Sequence, residues 1–178
     1  MHYPAFLGVS GLAAALFFAG CAPQPHQVPF NESAFAGYDR SGTGKITGSA
    51  YTVLRDHEHT RVPNRGNTIK LMPANAYTEE IVTRRYFNRV KLEKPDPRLE
   101  RYVRRVQVMD DDGHFVFSRV PAGSYYVSTH LRWDYPSTYT DNDGTIWNTT
   151  VDVDQWIYSK VAVRSGETVQ VENWDQGK

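Results

Sequence analysis

Cysteine, net charge and long apolar runs are all scarce in this chain, and each shortage excludes something. Cys21 is the only cysteine among 178 residues, so no internal disulfide framework exists and packing must hold the fold. Lys plus Arg number 20 and Asp plus Glu number 20, a balance that argues against a uniformly basic nucleic-acid binder. No apolar run reaches the about 20 residues that a bilayer-spanning helix needs. Catalytic motifs are missing as well: there is no Gly-x-Ser-x-Gly elbow, no phosphate loop and no Gly-x-Gly-x-x-Gly fingerprint. The expectation is a non-enzyme with no cofactor and no metal. What is present is 40% hydrophobic and 13% aromatic content, enough for one core in a chain of single-domain length.

From Ala5 to Gly20 there is no charged side chain, and Phe6, Leu7, Val9, Leu12, Leu16, Phe17 and Phe18 make it the most apolar stretch. That length suits the h-region of a secretory signal, about 7 to 15 residues closed by small ones. Phe18-Ala19-Gly20-Cys21 resembles the lipobox of bacterial lipoprotein signal peptides. The resemblance implies cleavage between Gly20 and Cys21, and lipidation of Cys21 as a membrane anchor. With Ala22 next, the sorting pattern of enteric bacteria implies the periplasmic face of the outer membrane. Residues 22 to 40 hold three Pro and no Lys or Arg before Arg40, which predicts an extended tether reaching on the order of 60 Å. The chain is thus divided into a signal peptide (1–20), a lipidated Cys with its tether (21–42) and a globular domain (43–178).

Past Gly42 the punctuation is that of β-structure, with strands predicted at 45–54, 67–72, 101–109, 114–118, 125–133, 156–164 and 168–174. In 125–133, Tyr125, Val127, Thr129, Leu131 and Trp133 alternate with Tyr126, Ser128, His130 and Arg132, so one face is buried and one wet. Asp111-Asp112-Gly113 reads as a hairpin turn with Gly113 at positive φ, which places Phe115 and Phe117 on one face. Val161, Val163, Val169 and Val171 are predicted to point inward. One segment, Ala76 to Arg89, reads as helix, with Asn75 as its cap and Glu79 and Glu80 near its positive end.

The run from Asp111 to Val127, Asp-Asp-Gly-His-Phe-Val-Phe-Ser-Arg-Val-Pro-Ala-Gly-Ser-Tyr-Tyr-Val, is similar to the signature of carboxypeptidase regulatory-like domains. Gly44-Lys45-Ile46-Thr47-Gly48-Ser49-Ala50 and Ile69-Lys70-Leu71-Met72-Pro73 match that family's opening strands in order. The resemblance implies an all-β fold, a single transthyretin-like Greek-key sandwich of about seven strands with one helical insertion. It implies a scaffolding or binding module, and the family's name does not imply peptidase activity, since fold is not function.

Candidate site residues come from what remains. Asp56-His57-Glu58-His59 is the most metal-like string, yet it lacks a third ligand and the zincin spacing, and a solvated loop is favoured. Asp39-x-Ser41-x-Thr43-Gly44 imitates half of a calcium loop but has Ala50 where a bidentate Glu is required. Asp141-Asn142-Asp143-Gly144 reads as turn chemistry. Between Arg84 and Arg105 nine basic residues face three acidic ones, and Arg84, Arg85 and Arg89 are candidates for meeting anionic envelope material if the segment is not simply solvated. The 133–158 segment is expected to be an aromatic loop. Tyr135, Tyr139 and Trp147 are its surface candidates, while Trp133 and Trp156 are assigned to the core. The expected partners are the membrane through Cys21 and an envelope protein, with peptidoglycan or polysaccharide as the alternative and no nucleic acid.

Overall fold

The computed structural model describes residues 22–53, 61–63, 67–108 and 110–174. The signal segment, Cys21 and the Asp56-His57-Glu58-His59 string lie outside these. Eight strands occur among the described residues: β1 (Gly44–Val53), β2 (Arg61–Pro63), β3 (Thr68–Pro73), β4 (Arg104–Gln107), β5 (His114–Val120), β6 (Gly123–Thr140), β7 (Ile146–Val163) and β8 (Thr168–Trp174). In one sheet β1 is central, antiparallel to β5 and β2 and parallel to β8; the other sheet runs β4-β3-β6-β7, all antiparallel. Period-two alternation turns Ile46, Ala50, Phe115, Phe117 and Val171 of the first sheet onto Ile69, Leu71, Tyr125, Val127 and Val163 of the second. The result is an all-β sandwich. Gly113 has φ +77° as expected, but the turn does not close a hairpin: β4 pairs with β3 and β5 with β1, so Asp111-Asp112-Gly113 carries the chain from one sheet to the other.

A second apolar layer covers the outer face of the β4-β3-β6-β7 sheet. Asn75 caps the helical insertion: its side chain accepts from the Thr78 amide at 3.1 Å, while the Asn75 amide donates to Thr78 Oγ1 at 3.0 Å. The insertion begins as α1 (Ala76–Glu80) and continues as a π-helical segment, Ile81–Phe87. Tyr77, Ile81 and Val82 pack with Met72 and Tyr126 from the sheet and with Leu99 and Tyr102. The strand expected at 101–109 is shortened for a local reason. The Asp96 side chain accepts from the Arg98 amide, and Pro97 opens a 3-10 turn over Pro97–Tyr102, so β4 starts only at Arg104.

The expected tether differs most. Residues 24–38 lie as a strap across the insertion rather than as a free spacer. Phe35 is fully buried and stacks between Phe30 and Tyr102, at centroid distances of 4.9 and 4.7 Å. The Gln27 and Val28 amides donate to the two carboxylate oxygens of Glu80 at 2.7 and 2.8 Å. Gln24 forms a parallel bridge with Leu92. Burial of these rings outweighs the chain entropy that composition alone would preserve.

Candidate functional site

The segment read as an aromatic loop is a β-ribbon. β6 and β7 pair without a register break from Gly123↔Val163 to Thr140↔Ile146. β3 reaches only to Thr129 on β6, so among the described residues the last eleven positions of β6, about 35 Å of strand, pair with β7 alone. Asp141 closes the tip. Its amide donates to Thr145 O at 3.0 Å, and its Oδ1 accepts from the Asp143 and Thr145 amides at 3.1 and 2.9 Å. Gly144 takes φ +80°, the left-handed position that such a turn assigns to glycine.

The same carboxylate orients the ring beside it. Trp147 Nε1 donates to Asp141 Oδ2 at 2.8 Å. The indole bond and the Thr145 amide hold the Asp141 carboxyl below the usual carboxylate range. Trp147 is the cross-strand partner of Tyr139, and the two rings lie nearly parallel, their planes 16° apart with centroids separated by 6.5 Å. Tyr139 is 54% exposed, Trp147 50% and neighbouring Ile146 66%. Strand alternation puts Tyr139 and Trp147 on the same side of the ribbon as Tyr125 and Val127; the side chains of Trp133 and Tyr135 lie outside the described ones. From Trp133 to Ser159 the ribbon carries five Asp and no Lys or Arg.

No family model and no curated protein matches this chain. Solved structures do. One, from Pseudomonas aeruginosa and described as a "putative carbohydrate binding protein", aligns at TM-score 0.62 and 23% identity over 82% of this chain and 97% of that one. Another, the major pilin subunit of Bacillus cereus, aligns at TM-score 0.32 and 15% identity, over 74% of this chain and 30% of that one. The first likeness shows the fold.

Trp156 belongs to the ribbon's base. It stacks on His130 and on Tyr86 of the π-helical segment, each at 4.6 Å and 19°, and Lys70 Nζ lies 5.3 Å from its ring. His130 in turn bonds Asp154, which it holds below the usual carboxylate range. This column fastens the two strands to the insertion just where β3 ends. A π-helical turn extends the backbone by about one residue relative to an α-turn and so re-aims a side chain, here Tyr86. Trp156 was assigned to the core and is half-buried, though on the outer face of the sheet.

The basic candidates separate into two kinds. Arg84 donates to Glu80 Oε1 at 2.6 Å, to Gln24 Oε1 at 2.6 Å and to Pro25 O at 3.1 Å; it is a strap fastener. Arg85 donates to the Leu92 and Glu93 carbonyls at 3.2 and 3.3 Å, acceptors that leave its charge uncompensated. Arg98, Arg101 and Arg105 pair with Asp96, Glu32 and Glu100, and Arg104 donates to the Ser118, Arg119 and Arg40 carbonyls. Arg89 is exposed, at φ +52°. Among the described residues no His, Cys, Asp or Glu cluster could hold a metal. Thr43, from the calcium-like string, has its hydroxyl oxygen occupied as acceptor for the Gly166 amide at 2.8 Å.

Proposed function

We propose that this chain is a lipid-anchored, non-catalytic cell-envelope lipoprotein whose ribbon binds envelope glycan, peptidoglycan or polysaccharide. The observation that carries the reading is the Tyr139–Trp147 pair: two half-exposed, nearly parallel rings, with the indole held by Asp141 before any ligand arrives. Flat aromatic surfaces stack on the C–H faces of pyranose rings, and preorganisation lowers the entropy cost of doing so. Exposed Asp143 at the tip supplies a hydrogen-bonding carboxylate. The carbohydrate-binding description of the Pseudomonas aeruginosa protein supports the same reading, as does the similarity of the 111–127 run to carboxypeptidase regulatory-like modules. The Phe18-Ala19-Gly20-Cys21 lipobox supports the anchor and a periplasmic placement at the outer membrane.

Trp147→Ala should weaken cosedimentation with purified peptidoglycan or polysaccharide by about thirtyfold or more, the loss of one hot-spot side chain, with an unchanged circular dichroism spectrum. Unaltered binding refutes the glycan reading. The second reading is a protein-binding or assembly module, favoured by the ribbon's long backbone edges, which pair with no further strand among the described residues. Stoichiometric capture of one envelope protein, with no glycan binding, would establish it instead.

A further inference from the structure

The strap changes what a lipid on Cys21 would do. A free tether of about twenty residues would let the domain float well clear of the bilayer, but the chain is docked from Gln24 onward. The Gln24 amide donates to Lys91 O at 2.7 Å, and the Glu93 amide donates to Gln24 O at 2.9 Å. Only Ala22 and Pro23 lie between Cys21 and that bridge, so the Cys21 Cα is at most about 11 Å from the Gln24 Cα. That span is about one Debye length at 0.1 M salt. Whatever surrounds Gln24 is therefore held inside the electrostatic reach of the membrane surface.

What surrounds it is basic. Residues 84–94 contain five Lys or Arg and one acidic residue, Glu93. Arg84 is neutralised by Glu80. Arg85 meets only carbonyl oxygens in its hydrogen bonds, and Arg89, Lys91 and Lys94 are exposed. The left-handed Arg89 ends the helical segment and turns the chain into this loop, while buried Leu92 pins its middle. Between Trp133 and Ser159 the ribbon carries five Asp and no Lys or Arg, so its outer part has the opposite sign and is repelled by an anionic surface.

We propose that the Asn88–Lys94 loop, with Arg85 behind it, is a membrane foot: a surface that docks on anionic phospholipid headgroups and holds the domain directly against the bilayer. The proposal rests on the Cys21 anchor for its proximity argument, and the test separates the two. The acylated full chain carrying Asn88→Cys, whose thiol is the only one left free, is labelled with a fluorophore. It is then reconstituted into phosphatidylcholine vesicles with or without one-third phosphatidylglycerol, each containing a headgroup-linked quencher. Quenching is expected in the anionic vesicles at low salt, and it should fall at 0.5 M salt. Adding Arg89→Glu, Lys91→Glu and Lys94→Glu should lower the ratio of docked to undocked protein by about a hundredfold, with the melting temperature unchanged. Equal quenching in neutral and anionic vesicles, insensitivity to the three reversals, or quenching that requires an added acidic protein overturns the foot. Mass spectrometry of the N-terminal peptide reads the anchor independently. If Cys21 carries no acyl chain, the anchor reading fails and the same purified chain is cosedimented with both vesicle types, where equal partition overturns the foot as well.

Discussion

Replacing Glu80 with Gln tests whether the strap is part of the fold. The Glu80 side chain is 5% exposed. Burial alone would raise its pKa, but the Gln27 and Val28 amides, the Arg84 guanidinium and nearby His26 outweigh burial and lower it from 4.5 to about 2. At about 1.4 kcal/mol per pKa unit the shift corresponds to at most about 3.5 kcal/mol of stability at neutral pH. Screening near the surface brings the expected value to about 2 kcal/mol. Because the folded-state pKa is the lowered one, this stability is complete above pH 4.5 and is lost as pH falls towards 2, with more than half gone by pH 3. Glu80→Gln keeps one oxygen acceptor but turns an NH2 towards a backbone amide, so its cost in urea denaturation should be about 2 kcal/mol at pH 7 and less than half of that at pH 3. Hydrogen exchange gives the local reading: the Gln27 and Val28 amides should lose protection in the variant. An equal cost at both pH values, or unchanged protection of those two amides, would refute the assignment of Glu80 as the strap's clasp.

Two further substitutions probe the framework. Phe35→Ala removes a fully buried ring and should cost about 3–5 kcal/mol in urea denaturation; a cost below about 1 kcal/mol would return the strap to the status of a loose tether. Gly113→Ala should cost about 3 kcal/mol or more, because φ is +77° and a Cβ there would stand 2.2 Å from Ala50 O. A near-neutral melting temperature would show that the β1–β5 edge adjusts freely.

Burial explains which parts of this architecture are legible in the sequence. Phe115 and Phe117, Val163 and Val171 announce their strands because one face of each meets the core and one meets water, and a shift of one residue would invert every side chain. Gly113 and the Asn75 cap are legible because their chemistry is local. The outer half of the ribbon fails on the first count: Pro136 and five Asp interrupt any apolar run, and its described side chains from Asp134 to Thr140 are exposed. What makes it a strand is cross-strand pairing between positions 6 to 20 residues apart, from Thr140↔Ile146 to Trp133↔Val153, which no apolar period encodes. One signal was present. Tyr139 and Trp147 flank an Asp-Asn-Asp-Gly turn symmetrically, the pattern of a hairpin tip.

The strap escaped notice for the complementary reason. Three prolines and few charges satisfy the composition of a linker, but a linker has no use for Val28, Phe30 and Phe35, and apolar side chains in a supposed spacer call for a surface to bury them. That surface exists only because the helical insertion places Tyr77, Ile81 and Val82 beyond the sheet, and Glu80 and Arg84 at its rim. Strap and insertion therefore specify each other, and neither is legible without its partner. The same dependence determines where a lipidated Cys21 would hold the molecule. With the chain docked at Gln24, two residues beyond Ala22, such an anchor would tie the bilayer to the basic loop of the insertion rather than to the end of a flexible spacer, and charge would direct the acidic ribbon away from it.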